Sequence, residues 1–348
     1  MISIALFGPT LVSFVLCLVV MRLGIKDAPD GGRKTQAAPV PSAGGLAVLA
    51  TALAFYFALA SPNVAGFVPL ILLVAAAALV GLVDDVRGLQ ARYKFGLSGL
   101  MCVLAAAYGP HLETFYLPGG PDGGWPLPAW IAILGAALWL FVIINGTNFM
   151  DGANGLAMGS AASMLYPTAL MLFPHAWFSA DSALPGTMVV LSVLTAQAIL
   201  GFLFWNLRGK LYAGDVGALG AGAVIAVSGL VLARTYSVWV PATLTLPFLV
   251  DILLTMAWRA RQGGNLFHPH RDHAYQLFLR AGWPHWCVAL LWWGFCIVCG
   301  VAPVVAIDAS TPSDATAFWI FITLCTTGSA LWFWQRAVIG GRLKREGL

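Results

Sequence analysis

Residues 66–94 read GFVPLILLVAAAALVGLVDDVRGLQARYK. An apolar run over 66–83 stops at Asp84-Asp85, and Arg87, Arg92 and Lys94 follow at once. A helix needs about 20 mostly apolar residues to cross a bilayer. This stretch therefore reads as a membrane helix that delivers two adjacent carboxylates and three cations to one membrane face.

The pattern recurs along the chain. Of 348 residues, 60% are hydrophobic and only 9% charged, against roughly 25% charged in soluble domains. A soluble domain could not cover so much apolar surface. An outer-membrane barrel would need short alternating strands, and these are continuous runs of helix length. The expected fold is all-α: a polytopic integral membrane protein of about eleven spans, at 3–22, 44–61, 66–83, 95–109, 129–145, 156–174, 187–206, 215–233, 237–257, 284–307 and 316–336.

No basic residue precedes the first span, whereas Arg22 and Lys26 follow it. A secretory signal has the opposite arrangement, so an uncleaved helix with its N-terminus outside is expected. Eleven spans then put the C-terminus in the cytoplasm. On that count, seventeen of the eighteen Lys and Arg residues fall on the inner side and only Arg234 lies outside. The net charge of +4 follows from this topology. It is no nucleic-acid footprint, since no basic patch is interleaved with aromatics. The six cysteines all fall in apolar spans, and Cys296-x-x-Cys299 reads as core packing.

A single integral domain over 1–348 is expected, with inner loops 23–43, 84–94, 146–155, 207–214 and 258–283. Those loops hold the motifs. In the first, Arg33-Lys34 and Gly44-Gly45 beside a helix start would suit a phosphate; a positive-inside anchor with a Pro-stiffened turn accounts for them too. The Asp84-Asp85 pair is unfavourable, because like charges adjoin at the negative end of a helix dipole. An acid within a span costs roughly 2.5–3.5 kcal/mol. Such a pair suggests cation binding or proton abstraction, or an interfacial pair offset by Arg87 or Arg92.

At the end of the fifth span and in the loop after it, Asn145, Asn148, Asp151 and Asn154 recur at spacing three. On a helix the first three would span about 120° of one face. Gly152 and Gly155 would let the chain approach a ligand closely. Asp215 in Gly214-Asp215-Val216-Gly217 opens a span and is either a functional acid or its N-cap. The last loop carries His268, His270, Arg271 and His273, suited to a diphosphate. Asp251 is a further intramembrane acid, functional or paired with Arg259. Carboxylates suit a hard cation, cations suit phosphates, and the bilayer supplies an apolar substrate. Together they form the inventory for phosphoryl transfer from a nucleotide-linked donor to a lipid phosphate.

The order and spacing of these pieces resemble the polyprenyl-phosphate N-acetylhexosamine-1-phosphate transferases, a superfamily that includes the translocase of the first peptidoglycan lipid intermediate. The matching pieces are Arg33-Lys34, Pro41, Gly44-Gly45, Asp84-Asp85, Lys94, Asn145, Asn148, Asp151-Gly152, Gly214-Asp215, Arg271 and His273, spread over residues 27–280. The resemblance implies a Mg²⁺-dependent (or Mn²⁺-dependent) bacterial inner-membrane enzyme with a cytoplasmic active site. It would move an N-acetylhexosamine 1-phosphate from a UDP-sugar to undecaprenyl phosphate and release UMP. By the same resemblance Asp215 is the metal ligand, and Asp84 or Asp85 deprotonates or orients the lipid phosphate. Asn148 and Asp151 lie in the nucleotide and metal pocket, and Arg271 and His273 contact the donor diphosphate. Lys34, Lys94, Asn145 and Asn154 join the substrate contacts, and a homodimer would fit the family.

Three departures stand out. Gln36 replaces a His frequent after Arg-Lys-x, Asn154 replaces the second Asp of an Asp-Gly-x-Asp-Gly pattern, and Tyr275-Gln276 follow Ala274. The last form looks like the branch that initiates O-antigen or other surface polysaccharides. Two rivals fit less well. A secondary transporter calls for midplane acids and inverted repeats. A CDP-alcohol phosphatidyltransferase calls for a longer pattern than Asp151-Gly152-Ala153-Asn154 begins.

Overall fold

A computed structural model describes residues 2–28, 38–59, 67–121, 124–178, 182–264, 270–307 and 313–346. Its helices are α1 (Ile2–Val20), α2 (Gly45–Leu59), α3 (Phe67–Arg87), α4 (Ala91–Tyr108), α5 (Ala129–Phe149), α6 (Leu156–Phe178), α7 (Ala183–Asn206) and α8 (Gly214–Thr235). There follow α9 (Trp239–Leu244), α10 (Leu246–Arg261), α11 (Ala274–Arg280), α12 (His285–Ala306), α13 (Asp314–Gln335), a π-helical turn over Arg336–Gly340 and α14 (Gly341–Glu346). Two small antiparallel pairs, β1 (Lys26–Asp27) with β2 (Val40–Pro41) and β3 (Thr114–Phe115) with β4 (Trp125–Pro126), close loops at the helix ends.

Seven helical stretches among the described residues are long and apolar enough to cross a membrane: α3, α5, α6, α7, α8, α12 and the run Asp314–Leu343. The other expected spans fall on α1, α2, α4 and the pair α9–α10, which are shorter or carry charge. Large apolar side chains such as Leu72, Leu79, Leu134, Leu138 and Val305 point outward. A soluble monomer rarely shows so much apolar surface; a lipid-facing belt requires it.

The axis of the fold is α8. It is rich in Gly and Ala, and its apolar window is buried throughout. Small residues let helix backbones approach, which is the main source of packing energy in lipid. At one end Gly45 of α2 meets Gly217 of α8, so that a Cβ on Gly45 would fall on the Gly217 backbone. Gly81 of α3 likewise faces the backbone of Asp215 and Val216. Further along, Gly222 abuts Ile144 and Thr147 of α5. One buried apolar cluster runs from Cys17 to Trp332.

The structure corrects the expected elements at three places. The span foreseen over 237–257 breaks at Thr245, where Pro247 enters the first turn of α10 and Thr245 Oγ1 bonds the Pro241 carbonyl at 2.9 Å. Proline cannot continue a helix across that point because it lacks the N–H and crowds the preceding turn. Helix α4 begins at Ala91 and so contains Lys94, which the sequence reading left in a loop. Within loop 258–283 a short helix, α11, forms over Ala274–Arg280.

Replacing Gly217 by Leu is expected to wedge α2 and α8 apart. The purified protein should lose its monodisperse peak in size-exclusion chromatography. Gly96→Leu, at a position with open space around it, should elute like the unmodified chain.

Candidate active site

The polar residues gather where α3, α4, α5 and α8 end together. Gly81 makes this possible. With no Cβ there, α3 runs against the start of α8, and Asp85 lies one turn further along the same face. Its carboxylate accepts the backbone N–H of Asp215 at 2.9 Å through Oδ1 and that of Val216 at 3.0 Å through Oδ2. Asp85 thus caps α8 from a different helix, at the positive end of its dipole, where an anion is favoured. An unsatisfied buried amide would cost roughly 1–3 kcal/mol. Gly214 sits at φ +71°, a conformation that favours glycine, with Asp85 Oδ2 beside it. The Gly-Asp pair in the sequence is therefore the turn that presents α8 to this cap.

Relieved of capping its own helix, Asp215 points into the site. Its Oδ1 accepts Asn148 Nδ2 at 2.7 Å, and its Oδ2 pairs with Lys94 Nζ. The same ammonium bonds Asp84 Oδ2 at 2.8 Å and Asn148 Oδ1 at 3.3 Å. Asp84 Oδ1 in turn accepts the Leu89 N–H at 2.6 Å. One lysine therefore sits inside a set of oxygens contributed by α3, α5 and α8.

Asp151 follows α5 in the loop and does not continue its helical face, because α5 ends at Phe149. Its carboxylate has no hydrogen-bond partner among the described residues. Burial first, then the negative charges of Asp215 and Asp85, push the Asp151 carboxyl up to about 7. Four carboxylates thus share this end of the bundle with Lys94. The oxygen set of Asp84, Asp215 and Asn148 around an ammonium suits a hard divalent ion. Among the described residues no three His, Cys, Asp or Glu side chains gather as a complete metal cage. Mg²⁺ needs none, since it takes one or two carboxylates and fills its octahedron with phosphate oxygens and water.

Several expected site residues take other places. The Nδ2 of Asn145 donates between helices, to Ser98 Oγ at 2.9 Å and to Phe141 O at 2.8 Å, while its buried Oδ1 has no partner among the described residues. Asn145 ties α4 to α5 and so sets Lys94 against Asn148. The N–H groups of Gly44 and Gly45 donate to Tyr212 O and Ala213 O, both at 2.8 Å, so they are not free for a phosphate. Gly152 makes room for Tyr275, whose hydroxyl bonds Phe149 O at 3.0 Å, and Gly155 faces Leu207. These two glycines serve the protein's own packing. Asn154 donates its backbone N–H to His285 Nδ1 at 3.1 Å. Lys34, Arg33, Gln36 and His268 lie outside the described residues.

His273 is only 3% exposed; it stacks on Phe149 and Tyr275 and lies beside His270, so it is packed and not open to solvent. Burial, then the charges of His273 and Arg259, lower His270 to about 4, which leaves that imidazole neutral. Arg271 is partly exposed and has no partner among the described residues. Of the alternatives for Asp251, pairing with Arg259 is not what the structure shows: Arg259 Nη1 bonds Asp272 Oδ2.

One participant was missed in the sequence. Asn206 accepts the Gly155 N–H at 2.6 Å through Oδ1 and donates to Leu211 O at 2.9 Å, bridging loops 150–155 and 207–213. A buried Asn at a helix end beside Arg208 and Lys210 was its only signal. A cavity of about 240 Å³ lined by Glu113, Arg234, Ser237 and Asp314 lies at the opposite end of α8 and has no part in this cluster.

Comparison with known proteins bears on this geometry. The family model described as glycosyl transferase family 4 matches residues 67–233. The chain is 30% identical over 300 residues to a decaprenyl-phosphate N-acetylglucosaminephosphotransferase of Mycobacterium tuberculosis, covering 79% of this chain and 74% of that protein. It is 32% identical over 210 residues to a phospho-N-acetylmuramoyl-pentapeptide-transferase of Rubrobacter xylanophilus, covering 56% and 61%. A probable undecaprenyl-phosphate N-acetylglucosaminyl 1-phosphate transferase of Bacillus subtilis is 24% identical over 298 residues, covering 81% and 77%.

The raised Asp151 carboxyl has a sign that can be checked. An unfolded aspartate ionises near 3.9, whereas folded Asp151 holds its proton up to about 7. Between those values the folded state binds more protons, so stability falls as pH rises. With divalent ions chelated, the melting midpoint in detergent should drop by a few degrees from about pH 5 to about pH 8. Asp151→Asn should flatten that slope; an unchanged slope would assign the effect elsewhere.

Proposed function

Because the chain belongs to glycosyl transferase family 4, we propose that it transfers N-acetylglucosamine 1-phosphate from UDP-N-acetylglucosamine to undecaprenyl phosphate and releases UMP. It is an enzyme of a family of multi-pass membrane transferases. The observation that carries the reading is the Asp84–Lys94–Asp215–Asn148 cluster set at the ends of apolar helices, with Asp151 beside it and without a partner among the described residues. Two relatives bear names specifying N-acetylglucosamine phosphotransfer to a polyprenyl phosphate, which favours that sugar over other N-acetylhexosamines.

Mg²⁺ would be held by Asp215, with Asp84 and Asn148 beside it, and when bound it offsets charge on the donor diphosphate. Lys94 keeps Asp84, Asn148 and Asp215 together and offers its ammonium to phosphate oxygen. Arg271 supplies a second cation to the diphosphate. A lipid-phosphate oxygen bonds to the sugar-linked phosphorus while the bond from that phosphorus to the UMP oxygen breaks. Asp84 and Asp85 already accept bonds at both oxygens, so the base moves from that pair to Asp151. Its carboxylate takes the proton of a singly ionised lipid phosphate, and a pKa near the working pH suits that task. The lipid tail stays in the bilayer beside the apolar helices.

The 17:1 distribution of basic residues supports an orientation with this end in the bacterial cytoplasm. The product would begin a cell-envelope polysaccharide such as an O-antigen. A second reading, transfer of phospho-N-acetylmuramoyl-pentapeptide, is favoured by the Rubrobacter relative.

The purified protein, given undecaprenyl phosphate, Mg²⁺ and a panel of UDP-sugars, should release UMP with UDP-N-acetylglucosamine. Mass spectrometry of the lipid product identifies the sugar carried. Asp215→Asn should abolish turnover at an unchanged melting midpoint. Turnover only with the muramoyl-pentapeptide donor would shift the assignment to the second reading. No turnover with any donor, together with acid-dependent solute uptake in proteoliposomes, would replace the transferase by a transporter.

A further inference from the structure

Helix α13 lies at the edge of the bundle. Only 11% of its apolar window is buried, and among its described residues Ala317, Trp332 and Gln335 are the buried ones. Two of these three sit at its last turn, followed by Arg336. Positions 332, 335 and 336 stand at i, i+3 and i+4 and so share one helix face. Gln335 and Arg336 reach the segment that carries Arg271 and His273, and Trp332 reaches Asp251, the buried acid to which that segment is bonded.

The contacts are specific. Gln335 Nε2 donates to Ala274 O at 3.1 Å. Arg336 Nη2 donates to Asp272 O. Its guanidinium lies 4.1 Å from the Trp258 ring centroid and 4.5 Å from that of Trp332, stacked between the two. Trp332 Nε1 approaches Asp251 Oδ1 at 3.4 Å. That same oxygen accepts the Ala274 N–H at 2.7 Å and Thr255 Oγ1 at 3.1 Å, and lies 3.6 Å from His273 Nδ1. Asp251 is 2% exposed. A buried carboxylate persists only where donors converge on it, and these come from α10, from α11 and from the end of α13.

The far side of the segment meets the site. His273 stacks on Phe149 with ring planes 24° apart, and Phe149 packs edge-on against Phe95, next to Lys94. Directly at Arg336 the α-helix passes into the π-helical turn over Arg336–Gly340. Such turns are uncommon and recur where a helix must re-aim side chains at functional positions.

We infer that the end of α13 is a clamp: Trp332, Gln335 and Arg336 are positioning residues that hold the Arg271–His273 segment in register with the Asn148–Asp151 loop. The clamp lies outside the residues matched by the family model. What the held segment does rests on the transferase reading; that it is held does not. A side chain that fixes a loop carrying a phosphate-binding cation acts on orientation, and misplacement of such a cation lowers turnover more than it lowers ground-state affinity.

The test uses the full chain in detergent, with hydrogen exchange read by mass spectrometry alongside UMP release. The double variant Gln335→Ala/Arg336→Ala should exchange the amides of 270–276 at least roughly tenfold faster, with peptides from α5 and α8 unchanged. Its kcat should fall about tenfold, with the KM for undecaprenyl phosphate within about twofold. Arg336→Lys, which keeps a donor for Asp272 O, should recover part of both effects. If the double variant fails to fold, Trp332→Phe removes one donor from Asp251 while keeping the ring, and should show the same changes at smaller size. Unchanged exchange in 270–276 overturns the clamp. Faster exchange at undiminished turnover overturns the positioning role. If the unmodified chain turns over no donor, the transferase reading falls, and the exchange rates alone still decide whether α13 holds the segment.

Discussion

Helix α8 begins in the interior of the bundle, and its first amides need acceptors that its own side chains do not provide. Asp85 supplies both, from α3, through a gap that exists because residue 81 is glycine. Much follows from this one interhelical cap. It fixes the ends of α3 and α8 against each other. It frees Asp215 from the capping task that its position at the helix start would otherwise impose. Because Asp84 precedes Asp85 on the same last turn, the cap also carries Asp84 to within reach of the ammonium that Asp215 binds.

The electrostatics of the cluster come from that geometry. Asp84, Asp85, Asp151 and Asp215 bring more negative charge to one end of the bundle than Lys94 can balance. Lys94 answers two carboxylates directly and the α8 amides answer a third. Asp151 has no partner among the described residues, and burial first, then the charges of Asp215 and Asp85, make it hold its proton more tightly. An excess of this kind is costly for a protein on its own, because like charges repel. The bilayer sharpens the effect, since low-dielectric walls on several sides strengthen every charge interaction at this end.

Much of the architecture was legible in the chain. Apolar runs of span length identified a polytopic helical protein, and the paired acids at 84–85 pointed to polar chemistry at the end of one helix. The order of the short motifs identified the family. The misreadings share a physical cause: a polar or glycine residue in a membrane protein serves helix packing as readily as ligand binding. Asn145 looked like part of the ligand face and ties α4 to α5. Gly44, Gly45, Gly152 and Gly155 looked like a cradle for a ligand and accommodate the protein's own backbone and side chains. His273 looked like an open loop histidine and is packed against aromatic rings.

By itself the sequence determined that the chain is a polytopic helical protein and which residue types its polar loops offer. Those properties depend on composition along the chain, so they can be read in one dimension. Partnership was decided only by the tertiary structure: Asp85 as the cap of α8, Lys94 as the shared cation, Asp151 as a carboxylate without a partner among the described residues, and the end of α13 gripping the Arg271–His273 segment. These assignments join residues up to 131 positions apart, as with Asp85 and Val216. Hydrogen bonds and ion pairs act over about 3 Å, so which acid meets which donor is set by how the helices cross.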